Sequence, residues 1–299
     1  MERSMHHVPV LHETVLRTLS PQLGETVLDV TLGLGGHAAA MLHALGSAGV
    51  FIGIDADERN LAWAKEHLKA YEGQTQFHHC NFSQIGTLGL PPLDIVFADL
   101  GLSSPHIDDP ERGFSFRLAS PLDLRFDQHT GRTATQCILE SSPEELRTVF
   151  REYGELWQEG GKLARVCAGK DLRTTLQLKE LVEASFGYRA KSILPQVFQA
   201  LRIAVNDELG ALKTLLTEAP MMLSSGGRMG VISYHSLEDR LVKQKFRELT
   251  TPEKDPVTGK IAVEALFVPI TKKPIVATAE EIAENPRARS AKFRVIRRL

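Results

Sequence analysis

Three glycines and two acids carry the first chemical signal. The stretch "LDVTLGLGGHAAAML" (Leu28–Leu42) closes an apolar run on Gly33, Gly35 and Gly36 and passes at once into helix-forming residues. Glycines at such a turn permit positive φ and let a ligand lie against backbone N–H groups. Taken as G-x-G-x-x-G/A, the loop is Gly33, Gly35 and Ala38. Asp55 ends the next apolar run, about twenty residues on, where a carboxylate can accept from a ribose diol. The bland alternative is a tight turn followed by a surface aspartate. The joint spacing of loop and acid argues against it. NAD and S-adenosylmethionine both use this arrangement. Asp29 just before the loop favours the methyl donor. So does "ADLGLSSP", with Asp99 at the end of a later apolar run. A polar loop there suits a flat amine-bearing substrate better than a hydride acceptor.

Other reactive residue types give less. Cys80, Cys137 and Cys167 are scattered and odd in number, with neither zinc spacing nor a disulfide framework. A reducing cytoplasm is the simpler setting. His6, His7, His78 and His79 occur in pairs, but paired spacing does not make a metal site, and no metal is expected. The net charge of −2 gives no bulk attraction for nucleic acid. The last residues differ: "RARSAKFRVIRRL" holds Arg287, Arg289, Lys292, Arg294, Arg297 and Arg298 and no acid. Phosphate contact is one reading of that run. A final strand kept soluble by its charge is the other.

The elements that must hold these residues follow from periodicity. "TVLDV" (Thr26–Val30), "VFIGID" (Val50–Asp55), "QFHHC" (Gln76–Cys80) and "DIVFADL" (Asp94–Leu100) read as strands. Gly36–Leu45 and Glu58–Tyr71 have helical spacing between them. This alternation predicts a parallel, doubly wound sheet. From about Ser104 to Asn206 no strong strand appears, and helices are expected at Pro143–Tyr153, Thr175–Phe186 and Val197–Val205. Alternation then resumes with a helix over Asp207–Leu223, the strand "GRMGVIS" (Gly227–Ser233) and a helix over Leu237–Leu249. "ALFVPI" and "KFRVIRRL" are late strand candidates. The expected organisation is an α/β domain over 1–106 and 207–299, discontinuous, with a helical insertion over 107–206. The composition, 42% hydrophobic and 24% charged, is that of an ordinary globular chain. No apolar run reaches the roughly 18–20 residues of a membrane span, and the N-terminus lacks a signal-peptide layout.

Longer motifs go further. "LGGH", "GIDAD", "DLGLSSPHIDDPERGFSF", "PLDLRFD", "FQALRIAVNDEL", "ISYHSLEDRLVK" and "ENPRARS" span nearly the whole chain. In them the chain resembles the bacterial 16S rRNA cytosine-N4 methyltransferase family. That resemblance implies a Rossmann-like class I S-adenosylmethionine-dependent methyltransferase sheet with an inserted helical domain that recognises RNA. It implies 16S rRNA, within the small ribosomal subunit, as the substrate. It leaves the oligomeric state open, a dimer included. By the same resemblance Gly35, Gly36 and His37 line the donor's methionine and ribose side. Asp55 is the ribose acid, Phe82 walls the adenine pocket, and Asp99 and His106 are donor-side contacts. The chain departs from the family pattern at His106, often glutamine in relatives. It departs again at Leu156–Ala168 and at Gln196–Val197, which puts RNA contacts in the insertion in question.

The chemistry implied is methylation of an exocyclic amine. The cytosine amine is a poor nucleophile, since its lone pair is delocalised into the ring. In-line positioning and a carboxylate accepting an amine hydrogen bond would supply the rate. Asp99 is the catalytic candidate, with orientation of the donor as its alternative role. Ser103, Ser104, His235, Arg294, Arg297 and Arg298 are the substrate-side candidates. Two other classes stay open: an NAD-dependent oxidoreductase, and an inactive RNA-binding assembly factor.

Overall fold

The computed structural model describes residues 9–103, 106–107, 109–117 and 119–299. It divides into two compact units: residues up to Gly101 together with Gly210–Leu299, and Leu102–Leu209. The sequence had put the changes at 106/107 and 206/207.

The first unit carries every named strand: β1 (Thr26–Asp29), β2 (Val50–Asp55), β3 (Thr75–His79), β4 (Leu93–Asp99), β5 (Leu223–Ser233), β6 (Glu253–Lys254), β7 (Ile261–Val263), β8 (Phe267–Pro269) and β9 (Lys292–Arg298). Seven of them form one sheet in the order β3-β2-β1-β4-β5-β9-β8. The pairs among β1 to β5 are parallel, and β9 runs antiparallel between β5 and β8. The expected Rossmann-like α/β fold is therefore present. The small β6–β7 pair stands apart.

Side chains alternate across a pleated strand, so each strand feeds two faces. Val27, Phe51, Ile95, Phe97 and Ile232 pack on one face, with Val15 and Leu19 of helix His12–Leu19 and Ala38, Met41 and Leu42 of helix Gly36–Leu45. Leu28, Ile52, Ile54, Val96, Ala98 and Val231 pack on the other, with Leu212, Leu215 and Leu216 of helix Glu208–Met222 and Val242 and Phe246 of helix Ser236–Leu249. Burial on both faces explains why these strands read as continuous apolar runs. Arg228 locks the first helix to β5. Its guanidinium donates to both carboxylate oxygens of Glu25, at 2.6 and 2.9 Å, and to the Leu19 carbonyl at 2.9 Å.

The second unit is helical. Three of its helices open with a side-chain cap and a return bond from the third position. Thr133 and Gln136 start Ala134–Glu140, Ser142 and Glu145 start Pro143–Glu152, and Thr174 and Gln177 start Thr175–Phe186. Its core gathers Leu146, Phe150, Leu163, Leu178, Val182, Ile193, Val197 and Leu201. The atypical segment after Tyr153 is a helix from Gly160 to Cys167. A Cβ on Gly160 would fall 2.8 Å from Arg151 Cγ, so the glycine lets two helices approach. Of the departure at Gln196–Val197, Val197 is fully buried in the core and Gln196 is half-buried. Among the described residues no helix is long and apolar enough to cross a membrane.

Candidate active site

Parity builds the site. β1 pairs Asp29 with Gly53 of β2 and with Phe97 of β4. Asp55 and Asp99 are the next residues of the same parity on those strands. β4 in turn pairs Asp99 with Ile232 of β5, and Tyr234 is the next residue of Ile232's parity. Side chains two apart share a face. Asp29, Asp55, Asp99 and Tyr234 therefore converge at the carboxyl ends of four adjacent strands, on the face that helix Gly36–Leu45 covers. Carboxyl ends of an open α/β sheet are where ligands bind.

The glycine loop leads from β1 into that helix. Gly33 and Gly35 have φ of 54° and 81°, the left-handed region where a side chain is strained. Gly36 serves packing instead, since a Cβ there would fall 2.6 Å from Pro9 Cγ. The Gly33 N–H donates to Asp55 Oδ2 at 2.8 Å, and the Asp57 N–H donates to Asp55 Oδ1 at 2.8 Å. Asn60 Nδ2 adds longer contacts of 3.3 and 3.4 Å to the two oxygens. Asp55 is thus pinned to the loop before any ligand arrives. Phe82 opens a short 3₁₀ turn just past β3, partly buried against the opposite-face core.

Asp29 is 1% exposed and accepts from the Thr31 N–H at 3.0 Å. Burial pushes its carboxyl up to about 7, and Asp99 and Asp55 nearby add to the rise. The Thr31 N–H and His37 hold it down. Asp99 is held at both ends. Its N–H donates to Thr31 Oγ1 at 2.6 Å, and Oδ1 accepts from the Tyr234 hydroxyl at 2.7 Å. Its other oxygen, Oδ2, lies 3.7 Å from His37 Nε2. The His37 ring is buried against Phe97, with centroids 4.9 Å apart, and lies 5.6 Å from the His12 ring. Neither His37 nitrogen has a hydrogen-bond partner among the described residues. Burial, followed by the neighbouring His37, lowers the pKa of His12.

S-adenosylmethionine fits these residues. Its sulfonium and ammonium are cations, and Asp29 and Asp99 are acids at one strand end. The ribose is a diol, and Asp55 is a pinned acceptor beside the glycine loop. The orphaned His37 nitrogens are buried polar atoms that a ligand can satisfy.

Sequence reasoning missed Thr31, Asn60 and Tyr234. Thr31 and Tyr234 stand inside or beside quoted motifs, yet only the strand register shows what they touch. Other candidates are placed differently from expectation. His235 is the N-cap of helix Ser236–Leu249: its Nδ1 accepts from the Glu238 N–H at 3.4 Å, while Glu238 accepts from the N–H of Tyr234 at 2.8 Å. Its Nε2 lies 3.2 Å from Glu238 Oε1 but out of line for a hydrogen bond. A helix-start role accounts for His235 without substrate contact.

The basic tail is an interior strand, which excludes the picture of an exposed edge. Arg294 Nε donates to Asp239 Oδ1 at 2.8 Å and Lys292 Nζ to Asp239 Oδ2 at 3.1 Å. Burial raises the Asp239 carboxyl, but those two bonds outweigh it and hold the group below its ordinary value. Arg298 donates to the Met221 and Leu223 carbonyls. Arg294 and Arg298 are thus committed to the protein, while Arg297 is exposed.

His106 and Ser103 belong to the helical unit. His106 is buried between Phe114 and Phe126, each centroid 5.2 Å away, and its Nδ1 lies 3.0 Å from Ser103 Oγ. Ser104 lies outside the described residues. Arg112, missed in the sequence, is buried and donates to the carbonyls of Arg125 and Phe126 at 3.0 and 2.8 Å.

Comparison with known proteins finds full-length relatives. "Ribosomal RNA small subunit methyltransferase H" of Cyanothece sp. is 41% identical over 301 residues, covering 100% of this chain and 97% of that protein. The protein of the same name from Sorangium cellulosum is 42% identical over 308 residues, with 99% and 92% covered. That from Syntrophotalea carbinolica is 42% identical, with 98% of each chain covered. The model of the MraW methylase family matches residues 4–299, and the chain belongs to that family.

Proposed function

We propose that this chain transfers a methyl group from S-adenosylmethionine to the N4 amine of a cytosine in 16S rRNA, acting on the small ribosomal subunit in the cytoplasm. The observation that carries the reading is Asp99: a carboxylate fixed at the end of β4, in line with the pinned acid and glycine loop of a donor site. The donor supplies an electrophilic methyl group on a sulfonium. The chain's own residues orient the amine and its proton. Asp99 accepts a hydrogen bond from the amine and keeps electron density on its nitrogen. The donor is held by Gly35, Gly36, His37, Asp55 and Phe82.

The thiols support attack at nitrogen over attack at ring carbon. Methylation of cytosine C5 requires a thiolate to add to C6 first. Burial holds Cys80 and Cys137 above their ordinary range and pushes Cys167 up to about 12. All three are thiols at neutral pH. The helical unit is the RNA-recognition domain in this reading. Trp157, 56% exposed under Arg151, and Tyr188, 93% exposed, are groups on which unstacked bases settle.

The test is methylation of small subunits followed by mass spectrometry of the digested rRNA. N4-methylcytosine is expected, and it should persist when Cys80, Cys137 and Cys167 are all replaced by alanine. A methyl on C5, or loss of turnover in the folded triple variant while donor and RNA still bind, would overturn the reading.

A further inference from the structure

We propose that Tyr234 is a positioning residue for methyl transfer, its phenol fixing the Asp99 carboxylate so that the second oxygen is presented to the substrate amine. This rests on the reading of Asp99 given above and extends it to a residue that makes no contact with the reacting atoms.

Tyr234 is held at three places. Its N–H donates to Glu238 Oε2 at 2.8 Å, and Glu238 is itself buried at the start of helix Ser236–Leu249. Its ring packs against the sheet face that carries Phe97 and Phe293. Its ring also lies over Gly101, where φ is 103° and an added Cβ would sit 3.3 Å from Tyr234 Cδ2. The third hold is the hydroxyl, which donates to Asp99 Oδ1 at 2.7 Å. A phenol placed this rigidly leaves the carboxylate few orientations. With Oδ1 bonded to Tyr234 and the Asp99 N–H bonded to Thr31, the oxygen left to act is Oδ2, on the His37 side.

The type of donor matters. An arginine or lysine at this place would neutralise the carboxylate and weaken it as an acceptor. A neutral hydroxyl orients it and leaves its charge. Burial, then the adjacent Asp99, raise the Tyr234 pKa well above its ordinary value, so the phenol remains a donor throughout the working range. The structural alternative is that Tyr234 is a core aromatic whose hydroxyl is incidental.

Tyr234→Phe separates the two, because it keeps the ring and removes one oxygen. It is compared with the wild type and with Asp99→Asn, using small subunits as substrate and calorimetry for the donor. For Tyr234→Phe we expect kcat to fall ten- to a hundredfold, about the loss of a preorganised donor. Donor Kd and RNA KM should change less than about threefold. A fall in kcat with donor Kd and RNA KM held reads the missing hydroxyl, because a packing defect would move all three. Wild-type kcat in Tyr234→Phe beside an inactive Asp99→Asn would overturn the role of Tyr234 alone. Full turnover in Asp99→Asn would overturn the reading beneath it. A Tyr234→Phe variant that loses donor binding in step with activity would assign the residue to packing.

Discussion

Replacing Asp29 by asparagine should change how stability depends on pH. Asp29 is buried and keeps its proton up to about 7, against an ordinary value of 3.8. Between those values the folded state holds a proton that the unfolded state has released. The unfolded state then binds fewer protons, so stability falls as pH rises through this window and levels off above about 7. A gap of about 3 units at 1.36 kcal/mol each amounts to about 4 kcal/mol over the whole window. Between pH 5 and pH 7 the share is about 2 kcal/mol. Asparagine is close in shape, and its side-chain oxygen can still accept from the Thr31 N–H. It cannot titrate. Urea unfolding of both proteins at pH 5, 6, 7 and 8, followed by circular dichroism, measures the difference at each pH. The stability of Asp29→Asn relative to wild type should climb by about 2 kcal/mol across pH 5 to 7 and level off by pH 8. Parallel stability curves from pH 5 to 8 would refute the argument, because they would mean that Asp29 is already ionised in the fold.

Three further outcomes follow from the same site. A cationic donor favours the ionised form of Asp29, so donor binding near pH 7 should release a proton; calorimetry in buffers of differing ionisation enthalpy measures it, and the release should vanish in Asp29→Asn. Asp55→Ala should weaken donor binding by about 1.5–3 kcal/mol, the worth of a charge-assisted hydrogen bond, while a folded variant of unchanged affinity would take the ribose role away from Asp55. Arg294→Ala should lower stability by about 1–3 kcal/mol through its partner Asp239, whereas Arg297→Ala should leave stability alone and reduce the salt slope of RNA binding by about 0.9; an unaltered slope would leave the tail without a phosphate contact.

Local signals made most of the fold legible. The strands show as apolar runs because both faces of the sheet are covered, and the helices from Pro143 and Thr175 show by their spacing, while the short helix Ala134–Glu140 does not. Asp55 was legible because a single βαβ unit fixes its place after the glycine loop. What stayed hidden is what distant strands bring together. Tyr234 and Asp99 are 135 positions apart, and nothing in either segment names the other. The ion pairs of the tail are hidden for the same reason: the acid that binds Arg294 lies 55 positions away, on a helix beside the strand. The cap at His235 is local, since the histidine and the glutamate three residues on open a helix.

The convergence of acids at the site is itself a physical problem, and its solution ties fold to function. Asp29, Asp55 and Asp99 share a face because parallel pairing in register puts residues of one parity side by side. Three carboxylates at one strand end repel one another, and the repulsion is strongest where water is excluded. Each is relieved differently. Asp55 is bonded to two backbone N–H groups, Asp99 takes a neutral phenol, and Asp29, with the least water, keeps its proton. The two backbone N–H groups on Asp55 and the phenol on Asp99 carry no charge of their own. A permanent cation would occupy the place of the donor's own charge and would quench the acceptor that the amine needs. The acids are therefore stabilised by groups that leave their charge available. The stabilisation forgone in the empty protein becomes binding energy for a cationic methyl donor.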